Sequence, residues 1–107
     1  MLYRLIFYVP ASHLETVKEA VFEAGAGCYG GYDQCAWQTI GQGQFRPLDG
    51  SGPFLGQIGR LERLEEYKVE MLVEKGKLKA VAKALLDAHP YQQPAYGFSE
   101  FVTIDDV

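Results

Sequence analysis

His89-Pro90-Tyr91 and Cys35 are the residues of this chain best suited to chemistry. An imidazole and a thiolate can together coordinate a soft or borderline cation, and His is the side chain whose charge changes near neutral pH. Asp33 and Tyr91 are suited to orient these donors or to hydrogen-bond a small ligand. Arg46, within Phe45-Arg46-Pro47, carries a guanidinium able to clamp a carboxylate or phosphate. Each residue also has a plainer reading. His89 before Pro90 reads as the last turn of a helix and its proline stop, with the helix dipole favouring the protonated ring. Arg46 reads more readily as the ion-pair partner of one of 14 acidic residues.

Other chemistries find no support. Cys28 and Cys35 are separated by six residues and lack a second pair, so neither a zinc motif nor a disulfide framework is spelled; they read as reduced thiols. Gly25-Ala26-Gly27-Cys28-Tyr29-Gly30 spells G-x-G-x-x-G, but it follows a helical pattern and precedes a strand. A dinucleotide site needs the reverse order, so that a helix N-terminus meets the pyrophosphate. No G-x-S-x-G, H-E-x-x-H or paired-carboxylate signature occurs, and two histidines are too few for a self-contained two-metal hydrolase centre. No nucleophile and base can be assembled, so the chain reads as non-enzymatic.

The elements that must position these residues follow from periodicity. Leu2 to Val9 alternates as a strand, with Tyr3, Leu5, Phe7 and Val9 on one face and Leu2, Arg4, Ile6 and Tyr8 on the other. Ser12 opens a helix with Glu15 at capping-box spacing. Leu14, Val17, Val21 and Ala24 form its stripe, and Gly25 stops it. Tyr32 to Ile40 reads as the second strand, and Gly41 to Gly59 as a long loop. Arg60 to Val73 holds the third strand, with Tyr67, Val69, Met71 and Val73 on one face. Leu61 and Leu64 either begin a separate short strand or continue this one through a bend. The mixed charges of Arg60 to Glu66 read as a solvated or subunit-bridging edge. Lys77 to His89 is the second helix, Tyr96 to Thr103 the last strand, and Asp105-Asp106 a frayed tip.

The order βαββαβ predicts one α+β domain over 1–107, a ferredoxin-like antiparallel sheet with two helices on one face. The other face carries Leu2, Ile6, Tyr8 and Leu72, an apolar set that predicts burial in a homo-oligomer. The net charge of −4 and the lack of a basic stripe argue against nucleic acid. No apolar run is long enough to cross a membrane. Met1 to Leu5 lacks signal-peptide organisation, so a cytoplasmic address is expected.

Three stretches carry a family resemblance. They are Ala24-Gly25-Ala26-Gly27 with Tyr32-Asp33-Gln34-Cys35; Gly43-Gln44-Phe45-Arg46-Pro47 with Gly50 and Pro53-Phe54-Leu55-Gly56; and Ala88-His89-Pro90-Tyr91-Gln92-Gln93-Pro94-Ala95-Tyr96. Together they resemble the inserted middle domain of the Nif-three-like (NGG-one-interacting-factor-three-like) proteins. The resemblance implies a fold related to the CutA divalent-ion-tolerance proteins and the PII signalling proteins, both ferredoxin-like trimers. It therefore favours a trimer over a dimer and brings a divalent metal ion into view. The paired metals of full Nif-three-like proteins belong to a flanking domain absent from this sequence. Gln34, Gln92, Gln93 and Gly97 stand where relatives often carry His or acids, which weakens a metal site.

The resulting expectation is a binding or sensing domain with its site near the end of the second helix. His89 and Cys35 are the metal-ligand candidates, and Tyr91, Asp33 and Arg46 the ligand-binding ones. The alternative is a structural module whose long loop and open sheet face dock a protein partner. A remnant of a hydrolase assembly is the third possibility.

Overall fold

The computed structural model describes every residue from Met1 to Val107. Its elements are β1 (Leu2–Pro10), α1 (Leu14–Glu23), β2 (Trp37–Phe45), β3 (Glu62–Glu74), α2 (Leu78–Ala88) and β4 (Tyr96–Phe101). The four strands form one sheet in the order β2-β3-β1-β4, with every neighbouring pair antiparallel. No helix is long and apolar enough to cross a membrane.

The core lies on one side of the sheet. Leu5, Phe7 and Val9 of β1 and Val69, Met71 and Val73 of β3 are buried against Val17 and Val21 of α1 and Val81 and Leu85 of α2. Burying each such side chain contributes about 1.5–3 kcal/mol, and this layer of contacts holds the two helices in place. The register puts the alternate residues on the opposite face: Arg4, Ile6 and Tyr8 of β1, and Lys68, Glu70 and Leu72 of β3. Trp37 and Phe101 join them from the flanking strands. None of these is buried, and Trp37 is 69% exposed. Arg4 lies 5.2 Å over the Phe101 ring, which covers only part of this face.

Two boundaries differ from the expectation. The second strand begins five residues later than Tyr32, at Trp37, and runs through Gly41 and Gly43 to Phe45. These glycines read as breakers, yet β2 is an edge strand that pairs only with β3, so missing side chains cost it little packing. Gly43 also leaves the space in which the Glu66 carboxylate lies, so a Cβ there would make that side chain shift. Leu64 lies within β3, which runs unbroken from Glu62 and needs no separate strand or bend. The Ser12–Glu15 capping box also does not form. A 3₁₀ turn over Ala11–His13 precedes α1, Ser12 Oγ is 2.9 Å from His13 Nδ1, and Glu15 pairs with Lys18. At the chain end, Thr103 and Asp106 cap a short turn where fraying was expected.

The G-x-G-x-x-G segment leaves α1 as a Schellman motif. Gly25 N donates to Phe22 O at 3.0 Å and Ala26 N to Val21 O at 3.0 Å, with Ala26 buried in the core. Gly27 then donates to Leu72 O at 2.8 Å, docking the connection onto β3. Its φ of +80° and the Phe22 ring, 2.7 Å from where a Cβ would stand, leave room only for glycine. Gly27→Ala is expected to cost about 1–3 kcal/mol in urea unfolding. Gly31→Ala, at a position with open space and no positive φ, should change stability by less than about 0.5 kcal/mol.

Candidate functional site

His89 terminates α2 with extended backbone, φ −73° and ψ 136°, and its ring turns back toward β1. Nε2 lies 2.7 Å from Tyr8 O, and Nδ1 lies 3.1 Å from Tyr91 N. A carbonyl can only accept and a backbone N–H can only donate. The ring is therefore the neutral tautomer with the proton on Nε2. Burial pushes its pKa below the ordinary histidine value, against the opposing pull of the Tyr8 carbonyl and Glu66. The helix-end expectation of a protonated ring is corrected on this point. A second proton would sit on Nδ1, facing the Tyr91 N–H.

This geometry also explains where the sheet stops. Tyr8 N donates to Ala95 O at 3.2 Å, as the β1–β4 ladder would continue. The return bond to Tyr8 O comes from the imidazole. His89 thus supplies the last rung, and it throws the following residues over the end of the sheet.

Tyr91 arrives there with its hydroxyl donating to Glu66 Oε2 at 2.9 Å. Burial first, and then the Glu66 carboxylate, push the phenol's pKa above its ordinary value, so it remains a proton donor. Phe45 and Phe54 flank its ring at 6.1 and 6.3 Å between centroids, and Phe54 also meets the His13 ring edge-on at 5.4 Å. His13 is thereby half covered. The connection 46–61 is drawn closed by Gly59 N donating to Pro47 O at 2.7 Å. It is tied to the end of α2 by Gly52 N donating to Gln92 Oε1 at 2.9 Å.

Between these groups opens a cleft of about 460 Å³. Tyr8, Gly43 to Phe45 and Glu66 come from the sheet. Pro47, Ser51 and Pro53 to Leu55 come from the connection, and Tyr91 to Gln93 with Ala95 from the segment after α2. Tyr8, Phe45, Phe54 and Tyr91 give its wall an aromatic part, and its polar side chains are the Glu66 carboxylate, the amides of Gln44, Gln92 and Gln93, the Ser51 hydroxyl and the two phenols.

The sequence-derived candidates do not converge. Tyr91 lines the cleft and His89 braces it from behind. Cys35 docks by its backbone on Gly27, beside Leu72, with Sγ 3.7 Å from Asp33 O. Leu72 stands four residues along β3 from Lys68, the partner of Tyr8, which is on the order of 13 Å of strand. Asp33 is exposed in the same distant turn. Arg46 is exposed, does not line the cleft and joins neither ion pair, although Phe45 and Pro47 on either side of it do line the cleft. No three His, Cys, Asp or Glu side chains are grouped as metal ligands would be, and both His89 nitrogens are already engaged. Gln92 serves as the loop tie.

Glu66 is the residue that sequence reasoning missed, hidden in a run that read as solvated charge. The available signal was strand alternation: counting back from Glu70 and Lys68 places Glu66 on the face of Tyr8. Phe45 and Phe54 were visible in the motif stretches but carried no assigned role.

The fold is that of a CutA/PII-like domain, and comparisons support this. A divalent cation tolerance protein CutA from Archaeoglobus fulgidus superposes with a TM-score of 0.66 at 14% identity, over 94% of this chain and 84% of that one. A Bacillus cereus protein related to NIF3 matches with a TM-score of 0.77 at 35% identity, over 91% of this chain and 24% of that one. A GTP cyclohydrolase 1 type 2 homolog from Halalkalibacterium halodurans is 43% identical over 95 residues, which is 89% of this chain and 26% of the relative. No family profile matches the chain. Over about nine-tenths of its length the chain is similar to a part of these NIF3-related proteins, and it spans about a quarter of the length of the curated relatives it matches.

His89→Ala leaves Tyr8 O and Tyr91 N without their partner and is expected to cost about 2–3 kcal/mol in chemical denaturation. The neutral ring also has a pH signature. Its folded pKa is depressed, so its contribution is complete above the ordinary value near about 6.5 and is lost as pH falls through the lower folded pKa. Stability measured from pH 8 down to 5 should therefore fall more steeply in the parent than in His89→Ala.

Proposed function

We propose that the chain is a non-catalytic, self-associating binding domain whose ligand site is the cleft at the end of α2. The observation that carries this reading is the cleft itself. Segments far apart in sequence are held around it by specific bonds: His89 to Tyr8, Tyr91 to Glu66 and Gln92 to Gly52. Its volume of about 460 Å³ lies within the range of small-molecule sites. The activity in the relatives' name belongs to proteins of which this chain matches a quarter.

Self-association is supported by the open sheet face, where Ile6, Leu72, Trp37 and Phe101 stand among Arg4, Lys68 and Glu70 and none of them is buried. The CutA resemblance favours a trimer over a dimer, and a cytoplasmic protein with no nucleic-acid or membrane partner fits the charge and hydropathy.

Native mass spectrometry is expected to show an oligomer that Trp37→Lys dissociates to monomer; a monomeric parent protein would overturn this part. For the cleft, a small-molecule screen followed by backbone-amide NMR should give shifts centred on Gly43, Phe54 and Tyr91. Binders whose shifts centre elsewhere would move the site.

A further inference from the structure

We propose that the cleft selects a small organic cation with an apolar body, an alkylated or aromatic ammonium, with Glu66 as its counter-charge. This rests on the cleft being the ligand site. Glu66 is the one charged residue among the 14 that line it. Its carboxylate has a built seat. Gly43, which lacks a side chain, leaves the space that Oε1 occupies, and Tyr91 holds Oε2 with a 2.9 Å hydrogen bond. Oε1 receives no hydrogen bond from the protein, and Glu66 joins neither ion pair, although Lys68 stands two residues along the same strand face.

The wall around this carboxylate suits a soft cation. Tyr91, Phe45 and Phe54 form a continuous aromatic surface with Tyr8 beside it. The faces of such rings carry negative potential and attract ammonium groups within about 6 Å, most strongly where water is displaced. An anionic ligand finds the opposite. No Lys, Arg or His side chain lines the cleft, and Arg46, the nearest in sequence, does not line it. Phosphates and carboxylates would meet Glu66 without a compensating positive charge.

The test compares three probes by calorimetry and by amide NMR shifts: choline, its uncharged isostere 3,3-dimethylbutan-1-ol, and glycine betaine. Choline is expected to bind with shifts at Gly43 and Tyr91, at least tenfold more tightly than either other probe. Glu66→Gln keeps the shape and the acceptor for Tyr91 while removing the charge, and should erase that preference. Equal binding of choline and the alcohol at the cleft would overturn the cation assignment while leaving the cleft as a ligand site. Shifts from no probe, together with none from the wider screen, would overturn both. Should Glu66→Gln fail to fold, the choline-to-alcohol ratio on the parent protein still decides.

Discussion

One hydrogen bond organises the cleft end of this domain: the imidazole of His89 on the carbonyl of Tyr8. Antiparallel strands normally close each hydrogen-bonded pair with two reciprocal bonds. At Tyr8 the second bond is made by a side chain from the end of α2. Strand pairing between β1 and β4 is thereby ended without leaving a buried carbonyl unsatisfied, which would cost about 1–3 kcal/mol. The same ring accepts the Tyr91 amide, so the direction in which the chain leaves the helix is set by the same contact. Everything on that side, from the Tyr91 phenol to the loop tie at Gln92, is placed relative to this ring.

The bond explains why a histidine at a helix terminus behaves here as a neutral structural group. The ring has one donor and one acceptor position, and the fold uses both. Its conformation places the imidazole against the sheet, where burial lowers its pKa. A metal would have to displace the Tyr91 amide to reach a lone pair. The His-Pro-Tyr element thus joins a structural half, in the ring, to a surface half, in the phenol that faces the cleft.

Much of the architecture was legible because β1, β3 and both helices have strong periods. Leu5, Phe7 and Val9, and Val69, Met71 and Val73, lie on the face that alternation assigns them, and Gly25 ends α1 as its position implies. The second strand was misplaced because its determinants are non-local. Gly41 and Gly43 have poor strand propensity but pair against Glu66 and Leu64 of a neighbour that supplies the packing. The site was half legible. Tyr91 stood out by its motif. Glu66 did not, because a carboxylate in a charged run shows its role only when strand register and a facing glycine are both known. Cys35 and Asp33 were grouped with His89 by chemical type, and sheet register places them elsewhere.

The bond between Gly59 and Pro47 has a consequence for how such a domain can diversify. It closes the connection at its neck, beyond the last rung of the β2–β3 hairpin at Phe45 and Glu62. Residues inserted or lost beyond that neck leave strand register untouched, and doubling the length of a closed loop costs only about 0.6 kcal/mol in chain entropy. The cleft therefore has one interchangeable wall on an otherwise constant frame. A change confined to that excursion would reshape the wall while leaving the sheet, the helices and the histidine rung in place.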